Sequence, residues 1–307
     1  DGGTAEANCP WGSAQPKVNS WESRENLLNK AIPSEFLCKD MFGDKGRVSS
    51  FSGSSDDPRM EMLMAPREGV KGTADPNKKY RYLKNNIGMD VSYKEEKNYP
   101  DLYVSPFTQN NGYVPLMMTE ELLFMKAEAL YWKGDKTAAY EVTKEAVRMN
   151  LDRLAPAVSD KVNLNPAVYQ KLANEYMTNA KLTAKYLPEA NFNIGHLMRQ
   201  KYIAMMYQPE QWTDMRRYNY SSTKNGITYD GVAVYPTLRR PFNLYEPYWM
   251  KKDDQNNVKE EWLQRLNYDP ETEEKYNVAE LKRLGAYKNP EWLKKPMVWA
   301  IYNKAHQ

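Results

Sequence analysis

The chain has 307 residues, enough for one large domain or two small ones with a sizeable core. Lys and Arg total 43 against 40 Asp and Glu, and a net charge of +3 gives no case for the concentrated basic face of a nucleic-acid reader. Mean hydropathy is −0.83, and no apolar run approaches the ~20 residues of a spanning helix. Two cysteines, Cys9 and Cys38, exclude a disulfide framework and a four-cysteine zinc site. Two histidines, His196 and His306, exclude His-rich metal chemistry and argue against a His-based triad. Tyr (23) and Trp (8) outnumber Phe (7), and rings with a polar handle suit a surface that binds something partly wet.

The opening, DGGTAEANCPWGSAQPKVNSWES, is poor in branched aliphatics and reads as the middle of a longer chain, so a fragment is expected. Trp21–Lys30 reads as a short helix behind Ser20, stopped by Pro33. Ser34–Lys39 reads as a short strand, and 43–58 as a loop rich in Gly, Ser and Asp. From Pro66 to Pro115 the text stays irregular but aromatic, which points to long structured loops, because disordered segments are poor in rings.

The style changes at Thr119. TEELLFMKAEALYWK predicts a helix over Thr119–Lys133 with Thr119 as N-cap and Leu122, Met125, Ala129 and Trp132 as its apolar stripe. Gly134-Asp135 breaks it, and Thr137–Leu151 is a second amphipathic helix. Small residues Ala127, Ala129, Ala139 and Ala146 mark the contact face of an antiparallel hairpin that resembles a tetratricopeptide repeat. Further helices are expected over Pro166–Thr178, Asn193–Tyr207 and Glu210–Tyr220, and short ones near Val258–Leu266 and Val278–Leu284. NGITYDG is a turn candidate, and VAVYPTLRRPFNLYEPYW an extended aromatic stretch. The fold class is mainly α: tetratricopeptide-like hairpins with long irregular loops and little β.

Four groups of residues carry a resemblance. MTEELLFMKAEALYWKGDKTAAYEVTKEAVRMNL is similar to the Ala-Glu-Ala helix and its partner in the SusD/RagB family of outer-membrane nutrient-binding lipoproteins. HLMRQKYIAMMYQPEQWTDMRRYNY resembles that family's late helical pair, with Gln200-Lys201, then Glu210-Gln211-Trp212, then Arg216-Arg217. Asp56-Asp57-Pro58-Arg59 is like its Asp-Pro-Arg turn. Arg239-Arg240 with Tyr245-Glu246 resembles its late Arg-x-x-Tyr-Pro-x-x-Glu segment, although here Pro247 follows the Glu instead of the Tyr. The order and spacing fit over roughly residues 30–250.

The resemblance implies one SusD/RagB-like domain over 1–307, its C-terminal part. It would comprise a loop-rich segment (1–117), a helical repeat region (118–220) and an irregular C-terminal segment (221–307). It implies non-catalytic capture of oligosaccharide or polysaccharide at the outer cell surface and delivery to a TonB-dependent outer-membrane transporter. The lipid anchor would lie in the family's N-terminal part, outside this chain, since no apolar leader precedes Cys9. Alternatives are peptide capture for import, a glycoside hydrolase and a helical-repeat scaffold. No cofactor, metal or nucleic acid is expected.

The motif residues also have structural readings. Trp212 suits a core anchor, and Gln200, Lys201, Arg216 and Arg217 suit pairing with carboxylates or stacking on rings. His196 suits a packed or solvated place on its helix. Asp56-Asp57 invites an acid/base reading, but turn or capping roles are far commoner for such neighbours. Asp253-Asp254 and Glu271–Glu274 read as solvated carboxylates without calcium-loop spacing. Sugars lie on aromatic rings while Asn, Asp, Arg and Tyr take their hydroxyls. The expected glycan-binding candidates are therefore Trp11, Trp21, Phe42, Phe51, Tyr80 and Tyr82, with Asn85 and Asn86 nearby. Tyr235, Tyr245, Tyr248 and Trp249 form a second cluster, read as core.

Overall fold

Gly134 takes φ +97°, and its N–H closes back on the Tyr131 carbonyl. That left-handed stop ends one helix, and the Asp135 carboxylate begins the next by accepting the Ala138 N–H at 3.0 Å. These two caps set a tight hairpin of α2 (Thr119–Lys133) and α3 (Lys136–Leu154). The structure is a computed structural model and describes residues 5–8, 33–34, 36–43, 56–64, 102, 105–108, 113–157, 166–178, 182–240 and 261–302. The predicted Trp21–Lys30 helix lies outside them.

The chain is mostly helical and gathers into two compact units, residues 1–84 with 91–211, and 85–90 with 212–307. The boundary between the units falls between Gln211 and Trp212. In the first unit, β1 (Ala5–Asn8) pairs antiparallel with β2 (Tyr113–Met117), Asn8 opposite Tyr113. A wide helical turn covers Phe36–Met41, α1 spans Arg59–Leu63, α4 Pro166–Thr178 and α5 Ile194–Ala204. Both helices of the hairpin pack on α5. Phe192 meets Tyr131 and Tyr140 edge-on at 5.9 and 5.6 Å, tying the two helices at their turn end. Helix α6 (Glu210–Arg217) leads into the second unit, which adds α7 (Glu273–Tyr276), α8 (Val278–Leu284) and α9 (Val298–Tyr302). There Asp230 and Gly231 both take positive φ, and Tyr229 and Val232 exchange both backbone hydrogen bonds across them, so NGITYDG ends in a tight two-residue turn.

Four expectations are corrected. Ser34–Lys39 is not a strand: the Ser34 hydroxyl accepts the Leu37 N–H at 3.2 Å, and Phe42 N–H reaches the Leu37 carbonyl. The segment winds so that Phe36, Cys38 and Met41 are buried together. The part of Val258–Leu266 that is described, from Glu261, is not helical. Its carbonyls serve tertiary partners: Arg216 donates to the Gln264 carbonyl and the Tyr220 hydroxyl to that of Leu263. The N-cap of α2 is Met118, not Thr119, with the Glu121 carboxylate accepting the Met118 N–H at 3.3 Å.

The fourth correction concerns the face of α2. Its buried side is Glu120, Phe124, Ala127, Glu128 and Tyr131, whereas Leu122, Met125 and Ala129 are exposed and Trp132 is half-buried. The helix is apolar on both sides, and a count of apolar residues favours the outer one. The inner one carries two glutamates that are affordable there only because each has a cationic partner. Glu120 accepts Arg153 and Asn150, and Glu128 lies 3.7 Å from Lys201.

Ala127, Ala139 and Ala146 are fully buried. Ala127→Leu or Ala146→Leu should overpack the hairpin and lower stability by about 1–3 kcal/mol in urea unfolding. Ala129→Leu, on the outer face, should change it by no more than about 0.5 kcal/mol.

Candidate functional site

Pro58 fixes its own φ and starts α1, and the Asp57 carboxylate folds over it to accept the Arg59 N–H at 3.0 Å. The same carboxylate accepts Nε of Arg59 at 2.9 Å and Nη2 at 2.6 Å, a fork-to-fork pair with both side chains fully buried. Arg59 Nη1 donates to Asn150 Oδ1 of α3 at 3.2 Å, and Nη2 also donates to Gln200 Oε1 of α5 at 2.6 Å. Gln200 in turn donates to the Tyr176 hydroxyl of α4 at 3.3 Å. Asn150 donates to Glu120 Oε1 of α2 at 3.1 Å. The guanidinium lies 5.8 Å from the Tyr176 ring centre. Burial alone would lower the basicity of Arg59, but the charge of Asp57 and its hydrogen bonds outweigh this and raise it. Arg59 is thus a charge at the meeting point of α1 to α5.

Asp56 faces the other way. It accepts Lys185 Nζ at 3.0 Å and the Tyr186 hydroxyl at 2.7 Å. Gly43, at φ +69°, lies against this pair, and a Cβ there would stand 2.3 Å from the Tyr186 oxygen. Arg199 stacks on the Tyr186 ring at 3.6 Å and donates to the Met41 carbonyl, so α5 clamps the 36–43 turn. His196, one turn earlier, has its pKa lowered by burial and then by the charge of Arg199.

The later motif builds the second unit. Trp212 Nε1 donates to the Tyr220 hydroxyl at 2.7 Å, and Tyr220 stacks on Trp262 at 4.6 Å and 8°. Arg216 lies between Trp212 at 3.7 Å and Trp299 at 5.0 Å, and Arg217 pairs with Asp214 at 2.7 Å. Trp292, which the sequence reading passed over, lies 6.4 Å from Tyr268 with Arg265 at 4.3 Å over its ring. The Arg265 guanidinium is held there by the carbonyls of Lys295 and Pro296, which makes Trp292 a packed ring.

The structure therefore draws the motif residues Asp57, Arg59, Glu128, Gln200, Lys201, Trp212, Arg216 and Arg217 into structural contacts. Phe42 is fully buried, and a ring without an exposed face offers a sugar nothing to stack on, so it leaves the set of candidates. Trp11, Trp21, Phe51, Tyr80 and Tyr82 lie outside the described residues, as do Tyr245, Tyr248, Trp249 and Asp253-Asp254. Tyr235 is buried, in line with a core role. Glu271 and Glu273 sit on an exposed turn organised by Asp269 and Thr272. No cluster of three metal-ligating side chains occurs among the described residues.

Two predictions follow from this geometry. Arg59→Ala leaves the Asp57 carboxylate buried and unpaired, and should cost about 3–5 kcal/mol in denaturant unfolding. An unchanged midpoint would contradict the role assigned to it. Burial lifts the phenols of Tyr176 and Tyr220 to about 12, while an unfolded phenol ionises near ~10. Below that value both states keep the proton and the stabilisation is complete. As pH rises from about 10 to 12 the unfolded chain releases protons that the folded one retains, so unfolding free energy should fall across that window.

No curated protein matches the chain. A SusD homolog from Bacteroides fragilis superposes with a TM-score of 0.52 at 16% identity, covering 97% of this chain and 57% of its own, so the chain spans a little over half the length of that relative. A family model described as starch-binding and associating with the outer membrane matches residues 9–236. On that match, which covers most of the sequence and spans the Asp-Pro-Arg turn, the helical hairpin and the Gln-Lys helix, the chain belongs to the SusD-like family.

Proposed function

We propose that the chain captures an oligosaccharide at the outer cell surface without turning it over and delivers it to a TonB-dependent transporter, its full-length form held at the membrane by a lipid anchor. The observation that carries this reading is the family match over residues 9–236, whose description joins starch binding to the outer membrane. The state of the carboxylates supports binding over hydrolysis. The adjacent pair that could have served acid/base chemistry is already engaged, Asp57 with Arg59 and Asp56 with Lys185 and Tyr186. Neither carboxylate is left to activate water or to protonate a leaving group.

The rings proposed to carry the sugar are Trp11, Trp21, Phe51, Tyr80 and Tyr82, with Asn85 and Asn86 supplying hydrogen bonds. The test is affinity electrophoresis of the chain through gels containing starch or other polysaccharides. Migration should be retarded in at least one polymer, with the polymer left intact. Replacing a central stacking ring by Ala should weaken binding by about 2 kcal/mol, roughly thirtyfold, at unchanged stability. Unaltered retardation in all five single variants would place the site elsewhere, and steady release of shortened sugars would overturn the non-catalytic reading.

A further inference from the structure

The outer face of α2 is not explained by capture of a sugar. Among the described residues, Leu122 (47% exposed) and Met125 (51%) are two of the large apolar side chains open to solvent, and they lie one turn apart on the helix. Along the helix the stripe continues through Ala129 to the half-buried Trp132. The spacing 122, 125, 129, 132 keeps it on one side of the helix for about 15 Å, at 1.5 Å per residue. Solvent-facing apolar residues in such a row are the mark of a contact surface.

Charge selects the contact. The cations on this side of α2 are Lys126 and Lys133, both exposed, whereas Lys136, at the start of α3, holds its ammonium 5.0 Å from the ring of the inward-facing Tyr131. The carboxylates of the helix are taken elsewhere. Glu120 is buried against Arg153 and Asn150, Glu128 is buried beside Lys201, and Glu121 turns back to the Met118 N–H. Asp135, in the turn, caps α3. The face is therefore apolar and positive at once. A second copy placed on it by two-fold symmetry would oppose lysine to lysine, which disfavours self-pairing. No described helix is long and apolar enough to cross a membrane, so any contact of this face with lipid is peripheral.

We propose that the outer face of α2 rests on an anionic lipid surface. Leu122 and Met125 enter the headgroup boundary, Trp132 sits at its edge, and Lys126 and Lys133 meet lipid phosphates. Leu, Met and Trp on a helix flanked by lysines are the composition of interfacial helices, and each lysine near an anionic surface adds to the attraction. This goes beyond the capture reading and stands without it, since it concerns how the protein is oriented and not what it carries.

The test is co-flotation of the 307-residue chain with vesicles of phosphatidylcholine alone and of phosphatidylcholine mixed equally with phosphatidylglycerol, at low and at high salt. The chain should float with the mixed vesicles, weakly and reversibly, and lose this at high salt and with neutral vesicles. L122S/M125S and K126E/K133E should each reduce the bound fraction at least about tenfold, with helical circular dichroism unchanged. K275E/K282E, in the second unit, should bind like the parent chain. No flotation with anionic vesicles would overturn the proposal and give the face to a protein partner. So would flotation that survives both α2 variants, or a concentration-dependent dimer abolished by L122S/M125S.

Discussion

An arginine with no access to water is the constraint from which the rest of the first unit follows. Moving a charge into the interior costs several kcal/mol unless a counter-charge and hydrogen bonds replace its water. Arg59 meets that requirement through Asp57, two residues before it, and through Asn150 and Gln200, 91 and 141 residues further along the chain. Because a guanidinium is planar and its donors are fixed in direction, the partners must arrive at defined places. The helices that carry them are thereby held in one arrangement: α3 by Asn150, α5 by Gln200, and α4 through the Tyr176 hydroxyl that Gln200 reaches. Glu120 extends the network to α2 through Asn150.

This changes what the motif residues mean for function. Polar residues at recurring spacings invite a search for a ligand site, yet here they point inward. Gln200-Lys201 divides its work between Arg59 and Glu128, and Asp56-Asp57 divides its own between Lys185 with Tyr186 and Arg59. Trp212 and Arg216 do for the second unit what Arg59 does for the first, with ring stacking in place of an ion pair. Residues spent on a rigid frame of this kind are not spent on recognition, the usual division of labour between scaffold and binding surface. The proposed carbohydrate reading thus rests on family membership, not on the motifs that revealed the family.

Much of the fold was legible because its signals are local. Pro166 and Thr178 bound α4 and Val278 and Leu284 bound α8, as read from the residues, and the helix expected over Asn193–Tyr207 runs over Ile194–Ala204 with Asn193 as its cap. Gly134 stops α2 where a turn was expected. Three of the misreadings share a different cause, in that a distant partner decided each. Leu122 and Met125 look like core until the partners of Glu120 and Glu128 are known. The 36–41 segment winds because Arg199 takes its carbonyls, and 261–266 stays open because Arg216 and Tyr220 take theirs. Phe42 could not be told from an exposed ring, since aromatic content carries no direction. Composition marked the long loops as aromatic without saying which rings face outward.

The most direct test of the account is a double-mutant cycle between Arg59 and Gln200, using Arg59→Met, Gln200→Leu and the pair, read by denaturant unfolding of the 307-residue chain. If the buried guanidinium joins α1 to α5, the two substitutions should couple by about 0.5–3 kcal/mol, the range for residues that share one network. Strictly additive effects, with a coupling near zero, would contradict the claim that Arg59 organises the helices around it.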